Sequence, residues 1–201
     1  ETGRIILDLT VITAIAGIII GLLQLSGLAF NISLLLTEAA DGSLVILLFL
    51  TAVVCIVLGM GMPSAVIYIV LSVIAAPALI EAGVGKMSAH MFLFYFGMLS
   101  MITPPVCLAT IAAASVAGTN FWQTGWAGVR LGFVAYIVPF LFVFYPELVF
   151  EGSAGAIIAV MVKSTIGVVI LCYCVAGFLY DRLGAVERLI LGVAGFAVLA
   201  A

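Results

Sequence analysis

Gly59-Met60-Gly61-Met62-Pro63 interrupts one long apolar stretch of this chain, and Thr103-Pro104-Pro105 interrupts the next. The first break separates residues 44–58 from residues 66–80. As a helix each arm is only about 22 Å long, short of a hydrocarbon core of about 30 Å. Pro63, Pro104 and Pro105 have no N–H to give, and two glycines beside a proline break a helix rather than bend it. Unpaired backbone inside a bilayer is costly, so it persists only where protein or a watery cavity surrounds it. Residues 44–80 therefore read as a re-entrant helical hairpin with its tip near mid-membrane. The alternative is one long helix kinked at Pro63. Residues 87–102 and 106–117 read as one discontinuous helix broken at the Thr-Pro-Pro. Paired discontinuities of this kind point to the binding site of a secondary transporter.

The surrounding composition sets the class. The chain has 201 residues, of which 67% are hydrophobic and 7% charged. This excludes a soluble domain and implies an all-α, polytopic membrane protein in a lipid bilayer. The net charge of −3 is small and scattered, which argues against nucleic acid as a partner. The run after Arg4 has no Ala-x-Ala cleavage pattern and reads as a retained span over residues 7–23, with Gly17 and Gly21 suited to close helix packing. Residues 28–37 are too short to cross and read as an interfacial helix. Residues 126–144 and 154–180 read as further spans, with Trp122 and Trp126 in an interfacial belt. The four cysteines, Cys55, Cys107, Cys172 and Cys174, lie in apolar runs and read as buried, inert thiols. Glu1 is no initiator and the apolar run is still in progress at Ala201, which suggests a piece of a longer protein.

The charges test the hairpin. If it returns to its own side, Arg4, Arg130, Arg182 and Arg188 fall on one face, and Glu38, Asp41, Glu81, Glu147 and Glu151 on the other, with Lys86 the basic exception. The arginine-rich face is then cytoplasmic, and the hairpin enters from the outer side. A single crossing over residues 44–80 would put Arg130, Arg182 and Arg188 opposite Arg4. The implied division is residues 1–43 (a span and an interfacial helix), 44–120 (hairpin 44–80 and broken helix 87–118) and 121–201 (further spans).

The stretches GMGMPSAVIYIV (59–70), APALIEAGV (76–84), AHMFLFYFGMLSMITPPVCLATIAAASVAGT (89–119) and RLGFVAYIVPFLFVFYPEL (130–148) resemble the large, DctM-like membrane subunit of tripartite ATP-independent periplasmic (TRAP) transporters. They are most similar to fused permeases that work with TAXI-type binding proteins. The resemblance implies a sodium-driven elevator transporter whose large subunit has two inverted halves, this chain being the C-terminal half. It implies uptake of small organic anions across a bacterial or archaeal inner membrane. The implied partners are a periplasmic solute-binding protein of TAXI type, the N-terminal half of the permease, and a small membrane subunit or its fused equivalent. It implies no cofactor beyond sodium as coupling ion. Cys107 departs from the family, where many members carry glycine.

The resemblance places the hairpin tip at residues 59–64 and its partner break at residues 100–105. Carbonyls of Gly59 and Gly61 with the Ser64 hydroxyl are candidate sodium ligands, because sodium prefers hard oxygen donors. The other reading of these glycines is a close turn against a neighbour. At the second break the Met101 and Ile102 carbonyls and the Thr103 hydroxyl are candidates, against a purely structural kink. Ser100, Thr103, Pro104 and Pro105 are the candidate substrate contacts, at the N-terminus of a half-helix whose dipole favours an anion. His90 reads as a structural hydrogen-bonding residue before a proton carrier. Arg130 reads as an interfacial arginine before a substrate contact, and Lys163 as a cation reaching outward, to a neighbouring helix or to the other half of the protein. The aromatic run Phe92 to Phe96 reads as lipid or helix packing. An intramembrane enzyme is the competing class, but it needs paired aspartates or a His-Glu-x-x-His motif, and the sequence has neither. A passive channel is the other alternative.

Overall fold

The computed structural model describes residues 2–200; the side chains of residues 2–9, 12, 13 and 16 lie outside the description, so the charges expected at Arg4 and Asp8 do too. The described residues form α1 (Thr2–Leu25), α2 (Leu28–Ala40), α3 (Leu44–Gly59), α4 (Ser64–Ile74), α5 (Ala76–Glu81), α6 (Lys86–Leu99), α7 (Leu108–Ala117) and α8 (Phe121–Leu131). A 3₁₀ turn, Phe133–Tyr136, leads to α9 (Val138–Phe144), and a second, Pro146–Val149, leads to α10 (Ala154–Ala176) and α11 (Ala185–Ala200). The protein is an all-α membrane protein. Among the described residues Ala154–Ala176 is long and apolar enough to span unbroken. Gly17–Leu25 with Leu28–Ala40, and Phe121–Leu131 with Phe133–Phe144, qualify only as bent pairs, at 69° and 65°.

Residues 44–81 fold back on themselves. Ser43, Leu44 and Leu47 at the start of α3 line the same cavity as Glu81 and Ala82 just beyond α5. As a single rod those ends would stand about 55 Å apart, so the kinked-helix alternative is excluded. Gly61 makes the turn at the tip with φ of 81°, a left-handed conformation that glycine adopts without penalty. The returning arm is split at Ala75, because Pro77 cannot donate back to the preceding turn.

Helix α6 packs against both arms. A Cβ at Gly97 would lie 2.6 Å from Ile67 Cγ2 and 3.1 Å from Leu71 Cδ1, so α4 sits directly on this glycine. Phe92 and Phe96 are buried and stack edge-on against Phe140 of α9 at 5.4 and 5.6 Å. These two rings pack between helices, one of the two settings (lipid or helix packing) read for the run, whereas Phe94 is exposed. Since lipid is as apolar as leucine, close fit rather than expulsion of water holds such helices together.

Three expectations need correction. The span read at 126–144 begins at Phe121 and bends by 65° after Leu131. Gly132 ends α8, and Pro139 at the start of α9 forbids a continuous ladder. The last full span stops at Ala176 rather than 180, because Gly177 turns left-handed at φ 69°. Cys172 is exposed and Cys174 half-buried, its thiol 3.1 Å from the Arg188 carbonyl; only Cys55 and Cys107 are buried. Helices α10 and α11 interlock reciprocally, with Leu199 over Gly167 and Leu171 over Gly195. Lys163 reaches a neighbouring element, its Nζ 4.0 Å over the ring of Tyr145.

Candidate functional site

The two breaks touch. A Cβ at Gly59 would lie 2.6 Å from Ser100 Oγ, 2.9 Å from Ser100 Cβ and 3.2 Å from the Gly97 carbonyl oxygen. Only glycine lets the end of α3 come this close to the end of α6. The glycine pair at the tip thus divides its work: Gly59 permits the approach, and Gly61 makes the turn. Ser64 opens α4 and is exposed beside the tip.

The second break covers residues 100–107 and is tightly hydrogen-bonded. Ser100 is buried, and its hydroxyl donates to the Gly97 carbonyl at 2.6 Å. Thr103 Oγ1 donates to the Leu99 carbonyl at 2.6 Å and lies 2.6 Å from the hydroxyl of Tyr136. The Met101 carbonyl accepts from the Ala109 N–H at 3.0 Å, across the break. The Gly59 carbonyl accepts weakly from Met62 at 3.4 Å. Among the described residues the Gly61 and Ile102 carbonyls accept no hydrogen bond. They are the least committed carbonyl oxygens of the candidate set.

The half-helix after the break starts later than the sequence reading, at Leu108 instead of Val106. Ala109 gives its N–H to Met101, and Thr110 and Ile111 give theirs to the Cys107 carbonyl. The N-terminus of α7 is therefore largely satisfied from within. Pro104 is half-buried and Pro105 exposed. Cys107 sits in the left-handed region at φ 29°, which explains why glycine suits this position.

Sequence reading missed the element that seats this break. Gly125, Gly128 and Gly132 form one stripe on α8 and its end. A Cβ on them would meet Pro104 Cγ at 3.2 Å, Thr110 Cγ2 at 2.8 Å and Ile102 Cδ1 at 2.8 Å respectively. Their spacing of three and four residues marks one helix face and was visible in the sequence. Arg130 is two residues from Gly128 and so lies on the opposite side of α8. It is exposed in the last turn of α8, on the side facing away from the second break, rather than in the first turns of a span. Trp122 and Trp126 share that outward face and are exposed. His90 Nδ1 lies 3.1 Å from the Tyr68 hydroxyl and ties α6 to α4, the structural role read for it.

The family model described as "Tripartite ATP-independent periplasmic transporter, DctM component" matches residues 1–157. No curated protein and no solved structure matches the chain.

Proposed function

Because the chain belongs to the family of DctM components of tripartite ATP-independent periplasmic transporters, we propose that it carries one half of a sodium-coupled site for small organic anions. The family is one of transporter permeases and not of enzymes. Such transporters work with a periplasmic binding protein and other membrane subunits. In our reading that binding protein is of TAXI type, and the N-terminal half of the permease completes the site. A bacterial or archaeal inner membrane is the setting. Residues 44–120 slide as part of an elevator, and residues 1–43 and 121–201 flank them.

The observation that carries this reading is the contact of Gly59 with Ser100. It brings the end of α3, where the first break begins, against Ser100, where the second break begins. The Gly59, Gly61, Met101 and Ile102 carbonyls and the Ser64 and Thr103 hydroxyls are the proposed sodium ligands. Ser100, Thr103, Pro104 and Pro105 are the proposed substrate contacts. Sodium and substrate would stabilise each other's binding, since such linkage is reciprocal.

The test is uptake into proteoliposomes by the intact transporter with its cognate binding protein. Uptake requiring both sodium and the binding protein supports the reading. Uptake that runs equally well in potassium removes the cation assignment. Conductance without binding protein or solute dependence indicates a channel.

A further inference from the structure

Thr103 Oγ1 has two partners at 2.6 Å, the Leu99 carbonyl oxygen and the Tyr136 hydroxyl. A threonine hydroxyl has one hydrogen and two lone pairs. The Leu99 carbonyl can only accept, so the threonine hydrogen goes there. Tyr136 must then donate its own hydrogen to Thr103. That occupies one lone pair and leaves one, in a direction fixed by the other two bonds. Tyr136 lies in the 3₁₀ turn at the 65° bend between α8 and α9, 33 residues from Thr103. The bend is what delivers a phenol to the break.

We infer that Tyr136 is a positioning residue of the cation site: its hydroxyl orients Thr103 so that the remaining lone pair of Oγ1 is presented to sodium. This rests on the reading of Thr103 as a sodium ligand. Tyr136 is half-buried and its ring is packed. Removing the oxygen alone therefore leaves the wall in place while freeing the hydroxyl to turn. Preorganised donors bind more tightly because less freedom is lost on binding.

The experiment is radiosodium binding to the purified intact transporter, with no substrate present. Tyr136→Phe is expected to raise the half-saturating sodium concentration about tenfold, equivalent to about 1.4 kcal/mol, with maximal binding unchanged. Thr103→Val is expected to lose more. Thr103→Ser, which keeps Oγ and both bonds, is expected to stay within about threefold of the parent. If Tyr136→Phe binds sodium as the parent does while Thr103→Val is impaired, the inference is overturned and the site stands. If Thr103→Val binds normally, the sodium-ligand reading itself fails. If Thr103→Ser loses binding, the methyl group rather than the oriented hydroxyl matters, which also overturns the inference.

Discussion

The two breaks meet at one point but are built in opposite ways. The hairpin tip is an open turn: Gly61 has nothing within 4 Å of where a side chain would be, and Ser64 is exposed. The second break is braced from every side, by Gly59 of α3, by the glycine stripe of α8 and by hydroxyl bonds from Ser100, Thr103 and Tyr136. A segment with few contacts opens locally at low cost, whereas a packed one does not. The tip is thus suited to move and the second break to hold geometry. In the proposed site the tip would be the free wall and the second break the fixed one.

The largest test of this contrast is at their contact. Gly59→Val places a side chain against Ser100, already 2.6 Å from a bare Cβ, and the backbone must yield. Sodium-dependent uptake should fall at least tenfold in proteoliposomes, with the protein still inserted. Next comes Gly97→Ala, whose Cβ would meet Ile67 Cγ2 at 2.6 Å. Ile67 is β-branched and stiff, so the thermal midpoint in detergent should drop by the equivalent of about 1–3 kcal/mol. Gly61→Ala meets no atom within 4 Å but must hold a φ of 81°. It should cost about 1–2 kcal/mol and damage uptake less than Gly59→Val does. Equal damage from both would mean that the tip is as constrained as its partner, and the contrast would be lost.

Both breaks, the hairpin and the helical class could be read from the sequence because proline and glycine act locally. A missing N–H or a left-handed turn needs no knowledge of the rest of the chain. The Thr103–Tyr136 pair could not be read, since neither residue carries a signal until the chain bends at Gly132. That bend hides in an apolar run with no polar residue from 131 to 135. Cys172 was misplaced for a reason particular to membranes. Apolar residues face lipid and core alike, so hydrophobicity does not separate inside from outside. Small residues do: the stripe Gly125, Gly128, Gly132 marked the true packing face, and Gly167 with Gly195 marked another.

The smallest effect is the sharpest probe of how the second break is braced. Cys107 is buried at a left-handed φ of 29°, and its sulfur lies 3.4 Å from where a Cβ on Gly125 would be. Cys107→Gly relieves about 1–2 kcal/mol of backbone strain. It also loses the packed sulfur and gains unfolded-chain freedom, each worth about 1 kcal/mol. The net change in stability should therefore stay within about 1 kcal/mol of zero. Gly125→Ala alone should destabilise, because its Cβ also meets Pro104 Cγ at 3.2 Å. In the Cys107→Gly background the sulfur is gone, and the contacts to Pro104 Cγ and, at 3.9 Å, Thr110 Oγ1 remain. The cost of Gly125→Ala should then shrink by about 0.5 kcal/mol or more, the size of coupling expected between touching residues. Thermal midpoints of the parent, the two single variants and the double variant in one detergent measure this directly. An unchanged cost in both backgrounds would mean that Cys107 has no part in bracing the break against α8.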